Sequence, residues 1–88
     1  MFYVYLLSSR KYHELYIGST SDLRKRIVEH NKGNVKSTKL KKPYDLIYYE
    51  AYKVESDARR RESMLKLRGQ ARSKLKLRLK DTLAQNES

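Results

Sequence analysis

Glu62 is the only acidic residue between Arg59 and Lys80, a stretch that carries ten lysines and arginines. Read as a helix, this stretch puts Glu62 between Ala58 and Leu65, with Gly69 on the same face, inside an apolar packing stripe. A carboxylate there is costly to bury without a partner. Arg59, Arg61 or Lys66 could neutralise it, or it could ligate a hard cation such as magnesium, which takes oxygen ligands and keeps several waters. Near the start of the chain, Tyr5 and Tyr16 stand eleven residues apart among β-forming neighbours. Either could be an ordinary sheet tyrosine, but Gly18 follows Tyr16 closely. A glycine ending a strand marks a close backbone approach or an unusual turn. Arg26 and His30 are neighbours at i, i+4 on the next segment. At about 100° per residue, both sit at the edge of the apolar arc set by Leu23 and Ile27, overhanging the surface on which that helix packs. An arginine stem along a core edge, or a histidine at a helix C-terminus, would look the same.

These residues need elements to position them. Residues 2–8 and 14–19 predict an antiparallel hairpin, with Ser9 to His13 as its turn. Ser19-Thr20-Ser21-Asp22 offers N-cap candidates for a helix over about 21–32, which should stop at Gly33 in a left-handed conformation. Residues 34–42 form a basic loop ended by Pro43, and residues 45–52 a third strand. Ser56 or Glu55 can cap a second helix running to Arg68 and broken near Gly69-Gln70. The segment from Ser73 to Ala84 is ambiguous. Leu75, Leu77 and Leu79 alternate as in a strand, while Leu75, Leu79 and Leu83 repeat at four, and the helix formers Lys, Leu and Arg favour a third helix. Tyr3, Tyr48, Tyr49 and Tyr52 read as sheet packing, and Tyr12 and Tyr44 as loop or rim residues. The fold class is α/β: a small three-stranded antiparallel sheet flanked by helices, with one domain over 1–80 and a short C-terminal tail over 81–88.

Eighty-eight residues build one small core. The absence of cysteine excludes disulfides and thiolate zinc sites, and two histidines cannot build a zinc site unaided. The longest apolar run, Phe2 to Leu7, is far too short for a membrane span. With no signal-peptide pattern, the expected location is cytoplasmic. The net charge of +11 points to a polyanion, because neutralising phosphates releases counterions and drives binding without sequence reading. Ribosomal-type or membrane-surface basic proteins share such a charge, but no basic helix with a bulky aromatic face is present. Candidate nucleic-acid contacts are Lys39, Lys41 and Lys42 in the loop, then Arg59, Arg60, Lys66, Arg72, Lys74 and Lys76.

Tyr16-Ile17-Gly18, the degenerate Tyr3-Val4-Tyr5 before it, Arg26 ten residues after Tyr16, and Ala58…Glu62…Lys66 together resemble the GIY-YIG nucleases, specifically their small stand-alone bacterial members. The resemblance covers about the first 80 residues. It implies metal-assisted hydrolysis of a phosphodiester in nucleic acid, with DNA favoured as the substrate and RNA left open. A tyrosine hydroxyl accepts the proton of the attacking water, with Tyr16 favoured as that base and Tyr5 hydrogen-bonded beside it, roles that could be exchanged. Arg26 stabilises the pentavalent phosphate, and His30 contacts phosphate or relays the proton. Glu62 binds a single Mg2+ or Mn2+, and Gly18 is structural. Many members also carry a supporting asparagine on a later helix. Here none lies between Asn34 and Asn86, and Gln70 is the available substitute. The alternative is a nucleic-acid-binding module that keeps the fold but cuts weakly or only with a protein partner.

Overall fold

Phe2–Ser9 (β1) carries apolar or aromatic residues on both of its faces, the pattern of a strand covered from both sides. The computed structural model, which describes the backbone of residues 1–87 and the side chains of residues 1–85, places β1 at the centre of a three-stranded antiparallel sheet. Leu15–Thr20 (β2) and Tyr44–Tyr52 (β3) flank it in the order β2-β1-β3. The expected sheet and its flanking helices are present.

One face of the sheet is covered by Leu23–Lys32 (α1), which packs Leu23 and Ile27 against Tyr5, Leu7 and Tyr44. Asp22 is the N-cap, accepting from the Lys25 amide at 3.1 Å, and Gly33 closes the helix at φ 80°. Both are the devices such a short helix needs at its ends. The other face carries Glu55–Leu67 (α2), Gly69–Arg78 (α3) and Lys80–Glu87 (α4), which pack Ala58, Leu65, Leu75 and Leu79 on Val4 and Leu6. A register shift between Leu6 and Leu7 leaves Ile47 as an extra residue in β3. The bulge sends both Ile47 and Tyr48 to the α2 side while Leu46 stays with α1.

Several expectations are corrected here. The cap of α2 is Val54, with no side-chain hydrogen bond; Glu55 and Ser56 already lie inside the helix. The tail is helical, as its four-residue leucine repeat indicated, but it forms two helices that break at Leu79. Leu75 and Leu79 are buried and Leu77 is exposed, so the two-residue alternation has no structural meaning. Gly69 belongs to α3, not to the α2 stripe. Tyr44, read as a rim residue, is buried. Loop 34–42 is more than a basic surface: Val35 and Thr38 are buried, and Lys39–Lys41 form a 3-10 turn.

On the α2 side, Glu50 of β3 accepts hydrogen bonds from Tyr48, Tyr52 and Arg61, locking the strand to the helix. Among the described residues, no helix is long and apolar enough to cross a membrane. Ser88, the last residue of the expected tail, lies outside the described residues.

Candidate active site

The β1–β2 register puts Tyr5 directly opposite Gly18. The Tyr5 ring lies across the glycine, where an added Cβ would stand 2.5 Å from its Cζ and closer still to its hydroxyl. Such contacts do not occur, so Gly18 is needed for close approach and not for an unusual backbone angle.

From the other side, α1 delivers His30, which is fully buried. Its Nε2 lies 2.8 Å from the Tyr5 hydroxyl and its Nδ1 2.7 Å from Thr38 Oγ1. Thr38 Oγ1 in turn donates to the Val35 carbonyl at 3.4 Å. A carbonyl can only accept, and this sets the direction of the whole chain. Thr38 donates to Val35, Nδ1–H of His30 donates to Thr38, and the Tyr5 hydroxyl donates to the bare Nε2. Burial, aided by the nearby Arg26 charge, lowers the His30 pKa to about 4, so the imidazole is neutral. Asn31, next on α1, holds the Tyr44 backbone, its Oδ1 accepting from the Tyr44 N–H at 2.7 Å and its Nδ2 donating to the Tyr44 carbonyl at 3.2 Å, with that ring edge-on to His30.

Tyr5 and Tyr16 therefore differ in kind. Burial pushes the Tyr5 hydroxyl up to about 12, against the opposing pull of the Arg26 guanidinium lying on its oxygen. Tyr16 is half-buried, its ring 6.4 Å from that of Tyr5 and 5.1 Å from His30. Its remaining surface lines an open cleft. Arg26, one turn before His30, keeps about a third of its side chain exposed and pairs only loosely with Glu29 at 3.4 Å.

Glu62 approaches from α2 across the β2 edge. Its Oε1 accepts from Ser19 Oγ at 2.6 Å, and its Oε2 meets Lys66 Nζ at 2.8 Å. Lys66 also lies over the Tyr16 ring at 5.9 Å, tying carboxylate to tyrosine. Burial pushes the Glu62 carboxyl up, but the Lys66 ammonium and the Ser19 hydroxyl outweigh it and hold it below its ordinary value. Of the three cations that could neutralise Glu62, Lys66 does so; Arg59 pairs with Glu55 and Arg61 with Glu50.

Among the described residues, no three His, Cys, Asp or Glu side chains converge. The donor set is one ionised, partly shielded carboxylate. That fits a magnesium-class cation, which is held through one or two carboxylates plus waters and substrate phosphate oxygens. It does not resemble a nitrogen- or sulfur-rich transition-metal site.

Tyr5, Tyr16, Gly18, Arg26, His30 and Glu62 thus gather along β2, from Tyr16 to the Ser19 that holds Glu62. The buried position of His30 corrects the expectation that it overhangs the sheet: its ring has no surface to offer a phosphate. The other expected contacts are dispersed on the surface. Lys41 pairs with Glu14 and Arg60 with Asp57, Lys39 and Lys42 lie near Gly33, and Lys74 and Lys76 are exposed on α3. Arg72 has a structural task, donating to the Leu65 and Lys66 carbonyls at the end of α2. Gln70 lines a separate groove with Arg61 and Met64, and the side chain of Asn86 lies outside those described. Thr38 was not singled out in the sequence, Ser19 was read only as a helix-cap candidate and Tyr44 only as a loop or rim residue. Only the Ser-Thr pair interrupting the lysines of loop 34–42 hinted at Thr38.

The family model for the GIY-YIG catalytic domain matches residues 1–85, the span that holds the hairpin, the sheet and all four helices' packed residues. The chain belongs to the GIY-YIG family, whose domain implies nuclease-type activity. A UPF0213 protein of Staphylococcus saprophyticus is 38% identical over 65 residues, covering 73% of this chain and 78% of the relative. UPF0213 proteins of Staphylococcus epidermidis and Staphylococcus aureus are 40% and 41% identical over 53 residues. Those matches span 59% of this chain and 65% of each relative. No solved structure gives a significant match.

Proposed function

We propose that this protein is an endonuclease that hydrolyses phosphodiester bonds of DNA with a divalent cation bound at Glu62. The observation that carries this reading is the convergence of Tyr16, Arg26 and Glu62, from three separate elements, on the exposed side of a buried Tyr5–His30 pair. Tyr16 is the base. It is the tyrosine that water can reach, whereas the Tyr5 proton is committed to His30 and held by burial. As a phenolate, Tyr16 takes a proton from the attacking water. The new P–O bond forms as the bond to the 3′ oxygen breaks, and that oxygen leaves with a proton from solvent. Lys66, over the Tyr16 ring, and Arg26, beside Tyr5, place positive charge on this side of the site. The Arg26 guanidinium also meets charge developing on the phosphoryl oxygens. Mg2+ or Mn2+ on Glu62 would supply Lewis-acid screening of the leaving oxygen. His30 and Thr38 act as positioning residues through Tyr5.

The test is incubation with supercoiled, branched and single-stranded DNA, with magnesium or manganese and with chelator. Cleavage that needs the metal, and that Glu62→Gln lowers on the order of a hundredfold while binding persists, supports the reading. Undiminished cleavage in chelator contradicts the metal role. The Glu62–Lys66 ion pair favours a second reading, binding without cutting, because the ammonium already neutralises the carboxylate. Tight binding with no cleavage of any of these substrates would select it.

A further inference from the structure

Between β2 and helices α3 and α4 lies a half-open cleft of about 580 Å³. Interiors of small domains hold voids no larger than a few waters, so this volume is a surface site and not loose packing. Its floor is apolar: Leu15 and Ile17 from β2, Leu75 from α3 and Leu83 from α4. Three cations line it, Lys66 paired with Glu62, Arg72 bonded to the carbonyls at the end of α2, and Lys76, while the one acid in its lining, Glu14, is paired with Lys41. Tyr16, the residue read above as the base, also lines it.

An apolar floor under a cationic rim suits a ligand that is flat and apolar in body and anionic at its edges. A nucleobase between two phosphates has that chemistry, provided it is unstacked from its neighbours. We propose that the cleft receives an unpaired nucleotide of the DNA substrate adjacent to the scissile bond, an inference that rests on the nuclease reading and names its substrate class. The base lies against Leu15, Ile17, Leu75 and Leu83, its flanking phosphates meet Lys66 and Lys76, and the next phosphodiester is thereby delivered to Tyr16. A fully paired duplex cannot fill the cleft, because its bases stay in the stack.

Three duplexes of equal length test this on the wild-type protein in chelator, where binding is read without cleavage. One is fully paired, one carries a single bulged 2-aminopurine nucleotide, and one carries a bulged abasic nucleotide. The expected result is that the base-containing bulge binds on the order of tenfold more tightly than the abasic one, the usual effect of one well-seated base. Methyl resonances of Leu15, Ile17, Leu75 and Leu83 should shift only with the base-containing bulge. Leu83→Phe, which fills the cleft, should abolish the preference; if that variant does not fold, the methyl shifts of the wild type alone locate the base. Equal binding of all three duplexes, or shifts elsewhere, overturns the cleft assignment and leaves the nuclease reading standing. Failure to bind any of them at low salt overturns both.

Discussion

The Tyr5 hydroxyl donates to a bare Nε2 of His30 at 2.8 Å, and the direction of that bond is fixed three groups away, at the Val35 carbonyl. Loop 34–42, through Thr38 and Val35, therefore sets the acceptor to which the single Tyr5 proton points. With the His30 pKa lowered to about 4 and that of Tyr5 raised to about 12, neither group changes protonation near neutral pH.

A pH signature follows. The folded His30 pKa is lowered from 6.5 to about 4, so the unfolded chain binds a proton over that window that the folded chain refuses. The stability this contributes is fully present above pH 6.5 and is lost as pH falls from 6.5 towards 4, amounting to about 3 kcal/mol. Carboxylates held low by partners, such as Glu62 and Glu50, lose their contributions only below about 4.5. Thermal melts of wild type and His30→Gln from pH 7 to 4.5 check this: the wild type should lose Tm steadily, and the variant, less stable by about 1–3 kcal/mol at pH 7, should stay nearly flat. Parallel curves would contradict a neutral buried His30.

Gly18 and Tyr5 should be energetically coupled. Gly18→Ala forces a methyl into the Tyr5 ring and should cost about 1–3 kcal/mol in denaturant unfolding. In a Tyr5→Leu background, where the obstructing Cζ and hydroxyl are gone, the same change should cost clearly less, a coupling of about 1 kcal/mol or more. Additive effects would show that Gly18 serves some other need.

The exposed cations of α3 should act through phosphate contact. Log affinity for duplex DNA should fall steeply with log salt, and Lys74→Ala with Lys76→Ala should lower the slope by about 2. Arg72→Ala should instead lose stability, because its guanidinium caps α2. A shallow slope in the unmodified protein would assign the charge to another purpose.

The sequence was most readable where a local signal and the tertiary outcome agree. Asp22 and Gly33 bracket α1 because a cap and a left-handed terminus are chemical needs of the helix itself. Residues 2–8 were legible as a strand because they are rich in the β-forming residues Tyr, Val and Leu, while the covering of both faces follows from the central place of β1. Glu62 stood out because a lone acid in a basic helix needs a partner, and Lys66 and Ser19 provide one. Thr38, Tyr44 and Ser19 were hidden because their roles arise from contacts across 8 to 43 residues of sequence, to which spacing is blind. The break at Leu79 was likewise obscured, since Leu75, Leu79 and Leu83 all face the same core on either side of it. The difference between Tyr5 and Tyr16 was not legible: their motif marked both as candidates, and only the structure shows Tyr5 buried against His30 while Tyr16 keeps exposed surface.

That division of labour is the centre of the account, and single-turnover cleavage by Tyr16→Phe tests it most directly. Phenylalanine keeps the ring and removes the hydroxyl, so folding and DNA affinity should be unchanged. Cleavage at saturating DNA with magnesium should fall on the order of a hundredfold or more, the usual worth of a positioned base. Tyr48→Phe is the control: its hydroxyl serves Glu50 on the far face, so it should lose some stability and keep its cleavage rate. A Tyr16→Phe protein that cuts at the wild-type rate, or no faster a decline than Tyr48→Phe shows, would contradict Tyr16 as the base.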